Sequence, residues 1–448
     1  MRRALRRICL INPRREVWAK NEKITEVLKN SHQFLKAWYS PPLSLLTIAG
    51  LTPAGVEIVL VQEDFEEVDF AAAYDLVGIT AMIQNAARAY EIAAAFRARG
   101  MHVVIGGIHA TVLAEEASRH ADTVIVGEAE ELWPWFLRDF ENGEPQRVYR
   151  NAPGYHVDLA ASPAPRYDLL NARNSLRDPH YYYNFVPVQA SRGCPHGCDF
   201  CLVSDIYGKK GRRKTIEQIR AEILAVKKHL PNRLIGFVDD NLFIDRRLAR
   251  ELLQTLVELK MRWVAQTDVA IGAQDDLLQL IYRAGCLFLF IGFESLDSEN
   301  LSEMNQNQWK LRQLANYERY VRNIQERGIM VYGAFIAGLD HDDAGVFARI
   351  VDFMNRNHMT GQLTFATPLP GSRMYERLKR EERFLYPEPF WDRCSFFDVL
   401  YRLKRMTREE AEEGFIWAYK QLFNEKALLE RTAYIKDIYK KLLILTPQ

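Results

Sequence analysis

Short apolar segments alternate with amphipathic segments along most of this chain, and the alternation limits its fold more than any other feature. Such a pattern is typical of a parallel β-sheet whose two faces are covered by helices. Five apolar segments occur before residue 140, namely Ile8–Ile11, Val56–Val61, Leu76–Thr80, Val103–Ile105 and Thr123–Val126. The sequence therefore predicts an α/β domain with a Rossmann-like parallel sheet over residues 1–140.

A second phase of alternation begins at Val186 and contains six apolar segments, at residues 186–190, 234–238, 263–267, 287–291, 330–336 and 362–366. Six strand–helix units are fewer than the eight of a closed barrel, so residues 186–375 are predicted to form a partial (β/α)6 barrel of the TIM type. Prolines and glycines punctuate residues 141–185, which we interpret as a linker or wrapping segment. Residues 376–448 are predicted to be a helical C-terminal region.

Composition and charge exclude several classes of protein. The formal net charge of +1 gives no strong field that would attract nucleic acid. No stretch of about 18 uninterrupted apolar residues is present to span a membrane. The basic start of the chain is followed only by Ile8–Ile11 before Asn12, which is too short for the core of a signal peptide. We therefore expect a cytoplasmic protein without a nucleic-acid partner.

Three of the six cysteines lie in one short loop with the spacing C-x-x-x-C-x-x-C, at Cys194, Cys198 and Cys201. Glycines and a proline supply the turns that direct three thiolates at one small object. Three thiolates on a four-iron cube leave one iron open to a chelating substrate. The loop therefore predicts a 4Fe–4S cluster with an open iron.

Zinc is the competing interpretation of the same loop. Structural zinc sites need four ligands, but His196 lies too close to the cysteines to share one ion with them. No second C-x-x-C pair lies within 30 residues downstream. The remaining cysteines, Cys9, Cys286 and Cys394, are expected to be small core residues rather than disulfide partners.

The cysteine loop, with Phe200 before its last cysteine, resembles the signature of the radical S-adenosylmethionine superfamily. Four later segments also resemble elements of that superfamily: Phe237–Asn241, Gly292–Ser295, Gly333–Gly338 and Leu369–Ser372 followed by Tyr375. The resemblance covers residues 186 to about 375. It implies that S-adenosylmethionine is bound by Phe200, Asp239, Asn241, Glu294, Ser295 and Gly338.

Two of these residues also suit a cationic cofactor on chemical grounds. Asp239 and Glu294 end apolar strands at the mouth of the predicted barrel, where a carboxylate can accept from ribose hydroxyls or an ammonium group. A strand-end cap or a salt bridge within the barrel is the alternative role for each.

Residues 75–139 resemble the cobalamin-binding domain that is fused to many of these enzymes. The matching stretches are Asp75–Thr80, Gly106–Thr111 and Asp122–Glu130. Small residues at strand ends let the backbone approach a corrin or its nucleotide tail. The resemblance implies a cobalamin site containing Thr80, Gly106, Gly107, Gly127 and Glu128. The chain lacks the Asp-x-His-x-x-Gly motif that supplies a histidine to cobalt, and a scaffold that binds nothing is the alternative.

The resemblance implies a radical S-adenosylmethionine enzyme that uses a 4Fe–4S cluster, S-adenosylmethionine and cobalamin. A 5′-deoxyadenosyl radical would activate an unactivated carbon of a small molecule or lipid, and cobalamin-dependent methylation is the expected outcome. The alternatives are cobalamin-linked cyclisation or rearrangement, and a non-catalytic cobalamin- or iron-binding module. An electron donor of the flavodoxin or ferredoxin type is the expected protein partner.

Two further segments have ordinary explanations beside functional ones. The basic run Lys209–Lys214 is typical of a solvated loop, although it could attract an anionic substrate or a reductase. A helical stripe near the C-terminus is typical of a packed terminal helix, and membrane-surface contact is its alternative if the substrate is a lipid. The stripe consists of Tyr434, Ile435, Ile438, Tyr439, Leu442 and Leu443.

Overall fold

In the computed structural model the described residues are 4–15, 18–31, 40–171, 185–305 and 307–445. They form two six-stranded parallel sheets, one after the other along the chain, together with their covering helices. This confirms the predicted fold class of a Rossmann-like domain followed by a partial barrel and a helical C-terminal region.

The strands of the N-terminal sheet are β1 (Arg7–Asn12), β2 (Glu57–Gln62), β3 (Leu76–Thr80), β4 (His102–Gly106), β5 (Thr123–Val126) and β6 (Val148–Arg150). Their order across the sheet is β2-β1-β3-β4-β5-β6, and every pair is parallel. Strand β2 lies on one side of β1 and strand β3 lies on the other, so the direction of strand order reverses at β1. Such a switch point opens a crevice at the carboxyl ends of the strands, where ligands bind.

Strand β6 lies in the segment that the sequence predicts to be a linker. Its three residues are too short to give a periodic signal, and they are recognised only by their pairing with β5. The helices around this sheet are α1 (Glu22–Asn30), α2 (Leu43–Leu51), α3 (Ala86–Ala98), α4 (Ile108–Val112), α5 (Ala114–His120) and α6 (Ala129–Asn142).

The second sheet follows the short helix α7 (Asp168–Asn171) and begins with β7 (Val186–Val188). A two-stranded antiparallel ribbon comes next, formed by β8 (Ser191–Arg192) and β9 (Arg212–Arg213). The remaining strands are β10 (Ile235–Phe237), β11 (Trp263–Thr267), β12 (Cys286–Glu294), β13 (Met330–Ala337) and β14 (Thr360–Phe365). They lie in the order β14-β13-β12-β11-β10-β7, which is chain order, as expected for an open barrel.

Helices follow the strands of the second sheet along the chain. They are α8 (Val203–Ile206), α9 (Ile216–His229), α10 (Arg246–Leu259), α11 (Asp275–Arg283), α12 (Ser298–Met304), α13 (Trp309–Gln313), α14 (Tyr317–Glu326), α15 (Val346–Arg356) and α16 (Arg373–Arg380). The short α8 lies within the loop between β8 and β9. Local signals fix several of their starts. The Thr215 hydroxyl accepts from the Gln218 amide and the Gln218 side chain bonds back, so a capping box begins α9.

The C-terminal region contains α17 (Arg408–Leu422) and α18 (Glu425–Leu445). Tyr434 of α18 stacks on His358, with ring centroids 4.1 Å apart, and the Tyr439 hydroxyl donates to the Gly328 carbonyl at 3.2 Å. The apolar stripe of this helix therefore packs on the barrel, while the side chain of Leu443 lies outside the described residues. None of the described helices combines the length and apolar character needed to cross a membrane.

Candidate active site

The cysteine loop connects the two strands of the ribbon, directly beyond the carboxyl end of β7. Gly193 opens the loop with φ +102°, and a Cβ at this position would lie 2.7 Å from the Lys210 carbonyl oxygen, so only glycine fits. The Cys194 amide donates to the Gly208 carbonyl at 3.2 Å, and the Ser204 hydroxyl donates to the Cys194 carbonyl at 2.7 Å. Backbone contacts therefore hold both ends of the loop together.

The three thiols of the loop suit an iron–sulfur cluster. All of them are free of disulfides and half-buried. Burial, with a smaller contribution from the neighbouring Cys194 sulfur, raises the pKa of Cys198 to about 11 and that of Cys201 to about 12. These thiols are therefore sheltered and close enough to affect one another's charge, and metal binding, which needs thiolates, would favour loss of their protons.

Asp239 holds the base of the loop in place. Its side chain is completely buried beyond β10 and accepts from the Ala190 amide at 3.0 Å and from the Ser191 hydroxyl at 2.6 Å. Burial raises the pKa of Asp239 to about 6. The neighbouring Asp240 accepts from the Gly193 amide at 2.8 Å. These contacts favour the strand-end role for Asp239, and its binding of S-adenosylmethionine stays a prediction.

Asn241 joins a polar chain that reaches the cysteine loop. Its amide nitrogen donates to Asp268 at 2.7 Å, and its oxygen accepts from the Thr267 hydroxyl at 2.9 Å. Asp268 in turn lies 3.5 Å from the His196 ring, which stacks on Trp309. Sequence reasoning missed Asp268, although it follows the apolar strand β11 as directly as Asp239 follows β10.

Glu294 lies at the carboxyl end of β12 with φ +64°, a rare conformation for a residue with a side chain. Its carboxylate accepts from Lys310 at 3.0 Å, and the same ammonium group donates to the Gly292 carbonyl at 2.6 Å. Burial lowers the pKa of Lys310, but Glu294 and the nearby Cys198 sulfur outweigh it and raise the pKa overall. A buried cation, Lys310, therefore lies beside the cysteine loop, and no sequence motif marked it as a site residue.

The other predicted S-adenosylmethionine residues surround the same edge of the barrel. Ser295 is buried and its hydroxyl accepts from the Asp297 amide at 3.0 Å. Gly338 follows β13 with φ +87°, and its carbonyl accepts from the Tyr401 hydroxyl at 2.6 Å. Phe200 is half-buried against the barrel core. Their contact with the cofactor stays a prediction.

A second polar edge faces the barrel from the N-terminal sheet. Gly107 has φ +96°, and a Cβ there would lie 2.7 Å from the Ala81 carbonyl oxygen and 2.9 Å from the Thr80 hydroxyl oxygen. The structure brings together all of the predicted cobalamin residues along one cavity of about 240 Å³. They are Thr80, Gly106, Gly107, Gly127 and Glu128. A cavity of this size suits a nucleotide tail better than a whole corrin.

Both sheets line this cavity. Gln189, Arg192 and Val238, which follow β7 and β10, form its wall on the barrel side. Glu128 joins the two sides, because its carboxylate accepts from Arg192 at 2.9 Å and from Arg212 at 3.0 Å. These two arginines are paired in the ribbon that carries the cysteine loop. We call this cavity the interdomain cavity.

Comparison with known proteins identifies the family. The model of the radical SAM superfamily matches residues 188–354, and that of the B12 binding domain matches residues 39–134. Bacteriochlorophyllide d C-12(1)-methyltransferase of Chlorobaculum tepidum is 31% identical over 400 residues, which cover 88% of this chain and 84% of that protein. The chain belongs to the family of radical S-adenosylmethionine enzymes with a cobalamin-binding domain.

Two further methyltransferases are also similar to this enzyme. The C-8(2)-methyltransferase of bacteriochlorophyllide d, from the same organism, is 28% identical and covers 88% of this chain and 87% of its own. Hopanoid C-2 methylase of Rhodopseudomonas palustris is 26% identical, and the match covers 79% of this chain and 67% of that protein.

Two solved structures share the fold of this radical S-adenosylmethionine enzyme. TsrM of Kitasatospora setae has a TM-score of 0.66 at 16% identity, with 94% of this chain and 84% of that chain covered. OxsB, solved with cobalamin and S-adenosylmethionine, has a TM-score of 0.68 at 13% identity. The match covers 97% of this chain and 71% of that chain. The matches to the radical SAM and B12-binding models identify the cofactors as a 4Fe–4S cluster, S-adenosylmethionine and cobalamin, as predicted, and this favours the cluster over zinc.

Proposed function

We propose that this enzyme methylates an unactivated carbon of a large hydrophobic ring molecule, with a tetrapyrrole as the first candidate. The interdomain cavity supports a cobalamin tail beside the barrel, because residues from the carboxyl ends of both sheets line it. The two bacteriochlorophyllide methyltransferases, which match almost the whole chain, support the substrate class.

When bound, the cluster supplies the electron that cleaves S-adenosylmethionine, and cobalamin carries the methyl group. Cys194, Cys198 and Cys201 are the residues that would hold the cluster. Glu294 would orient S-adenosylmethionine at the end of β12, and Lys310 fixes the Glu294 carboxylate through its hydrogen bond at 3.0 Å.

Glu128 acts as a positioning residue between the two halves of the site. It is 5% exposed, and its carboxylate bonds to both arginines of the ribbon while its amide donates to Asn151 at 2.7 Å. A carboxylate held by two guanidinium groups forms strong, directional hydrogen bonds. Glu128 therefore fixes the distance between the cobalamin edge and the cysteine loop rather than contacting the corrin through its carboxylate.

Product analysis under anaerobic conditions tests the proposal. Enzyme reconstituted with iron, sulfide and cobalamin would be incubated with S-adenosylmethionine, dithionite and bacteriochlorophyllide d, a hopanoid or a chlorophyllide. Methyl transfer predicts 5′-deoxyadenosine, S-adenosylhomocysteine and a methylated tetrapyrrole, all absent with Cys198→Ala. 5′-Deoxyadenosine without S-adenosylhomocysteine would indicate cyclisation or rearrangement. A methylated hopanoid as the only methylated product would show that the substrate is a lipid and not a tetrapyrrole.

We also propose an electron donor of the flavodoxin or ferredoxin type and a cytoplasmic location. Lys209 and Lys210 are exposed beside the cysteine loop, where they suit an acidic partner. Reduction of the cluster by flavodoxin should slow at least severalfold in a variant with both lysines changed to glutamate. An unchanged rate of cluster reduction would show that this segment is only a solvated loop.

A further inference from the structure

A second, smaller cavity lies at the opposite end of the barrel from the cysteine loop. It measures about 40 Å³, lies between the amino ends of β13 and β14 and the C-terminal helix α18, and is partly open to solvent. We call it the basal cavity. Its volume admits one or two water molecules, or a single ion of similar size.

Three buried polar atoms in the lining of the basal cavity have no hydrogen-bond partner among the described residues. They are Arg431 Nε, His358 Nδ1 and Thr360 Oγ1. Such atoms are rarely left unpaired inside a protein. Arg431 Nε can only donate a hydrogen bond, whereas the Thr360 hydroxyl can donate or accept one. The lining is therefore rich in donors that have no acceptor.

The charge in the basal cavity is also uncompensated. Arg431 is 5% exposed, and its terminal nitrogens donate to two neutral acceptors, the Leu422 carbonyl at 2.6 Å and the Asn355 side-chain oxygen at 2.7 Å. Within the described part of the chain, no carboxylate forms an ion pair with it. Glu430 acts on it from a distance, but its side chain is 56% exposed and pairs with Lys426. An unpaired buried cation is costly.

At neutral pH, Arg431 and His358 together carry one positive charge. Burial lowers the pKa of Arg431 to about 10, which still leaves the guanidinium charged at neutral pH. Burial also lowers the pKa of His358, and the adjacent Arg431 adds to this effect despite the opposing charge of Glu430. His358 is therefore neutral.

We propose that the basal cavity binds a monovalent inorganic anion of halide size, with Arg431, His358 and Thr360 as its ligands. Water satisfies the same donors but leaves the charge uncompensated, whereas one halide satisfies both requirements. Because Arg431 belongs to α18 and the other two residues flank the start of β14, the anion joins the C-terminal helix to the barrel.

Crystals of the holoenzyme grown in bromide test the site directly. The proposal predicts an anomalous bromine peak in the basal cavity, within hydrogen-bond distance of Arg431 Nε. Electron density for water alone, without an anomalous peak, would overturn it.

Thermal unfolding in solution tests the same site without a crystal. The midpoint of the holoenzyme should be about 2 °C higher in sodium bromide than in sodium gluconate at equal ionic strength. The difference should disappear in Arg431→Met and shrink in Thr360→Val. Arg356→Met is the matched control, since Arg356 is 58% exposed and pairs with Glu318 and Asp352. An equal bromide effect in the wild type and Arg431→Met would contradict the proposal.

Discussion

The carboxyl edges of the two sheets differ in how they prepare a site. On the barrel edge, carboxylates hold the backbone of the cysteine loop, as Asp239 and Asp240 do for Ala190 and Gly193. On the N-terminal edge, Gly107 and its neighbours present bare backbone around the interdomain cavity. A reactive metal needs ligands fixed by a supporting shell, whereas a large cofactor needs surface from which side chains have been removed.

The comparison implies that each edge can be disabled without the other, and Cys198→Ala should show the largest effect. Removing one of three cluster ligands should abolish the iron-linked absorbance and all 5′-deoxyadenosine formation, while cobalamin still co-elutes with the protein. Cys286→Ala, at a buried cysteine of β12, is the matched control and should retain the cluster. A normal cluster in Cys198→Ala would contradict the assignment of Cys198 as a cluster ligand at the barrel edge.

Gly107→Val should disable the other edge. The added side chain would collide with the Ala81 backbone and occupy the cavity wall, so cobalamin affinity should fall about tenfold or more while iron content is unchanged. Gly100→Val controls for backbone strain, because Gly100 also has positive φ but no heavy atom lies within 4 Å of its Cβ position. Equal losses of cobalamin in both variants would show that strain, not the cofactor surface, is responsible.

Asp239 should show how much the supporting carboxylate contributes. Asp239→Ala leaves the Ala190 amide and the Ser191 hydroxyl without their acceptor, so cluster content should fall about threefold, and less in Asp239→Asn. Because the pKa of Asp239 is raised to about 6, its carboxylate is ionised only above that pH. The native protein therefore takes up this proton more readily than the unfolded chain, so the free energy of unfolding of the wild type, relative to Asp239→Asn, should rise as the pH falls through about 6. A difference that does not change with pH would contradict the cost of the buried charge.

Lys310→Met should change the cluster's electronics without removing the cluster. Loss of the buried ammonium group beside Cys198 disfavours the more negative, reduced state. The midpoint potential should therefore fall by on the order of tens of millivolts in a redox titration followed by electron paramagnetic resonance. Lys310→Arg keeps the charge and should restore most of the potential. An unchanged potential in Lys310→Met would limit Lys310 to orienting Glu294.

Glu128→Gln should have the smallest effect, because both cofactors still bind. Loosening the link between Glu128 and the two arginines of the ribbon should lower the yield of methylated product per 5′-deoxyadenosine about twofold. Glu131→Gln removes an exposed carboxylate from α6, the helix that begins directly after Glu128, and should leave the yield unchanged. A proportional loss of cobalamin in Glu128→Gln would instead place Glu128 in the cobalamin site, as the resemblance implies.

The sequence was informative where the signal is local. Strand–helix alternation predicted both sheets, and the spacing of Cys194, Cys198 and Cys201 predicted the cluster, because a loop of eight residues determines its own geometry. The pairing of Lys310 with Glu294 was not predictable, since the two residues are 16 positions apart on different elements. The link from Glu128 to Arg212 spans 84 positions and depends on how the domains pack.

The measurement that tests the central claim most directly is the magnetic interaction between cob(II)alamin and the reduced cluster in one sample. If both edges serve one cavity, the cob(II)alamin resonance should be broadened when the cluster is reduced, and the broadening should vanish in Cys198→Ala. A cob(II)alamin spectrum that is identical with oxidised and reduced cluster would show that the two cofactors lie too far apart to act on one substrate.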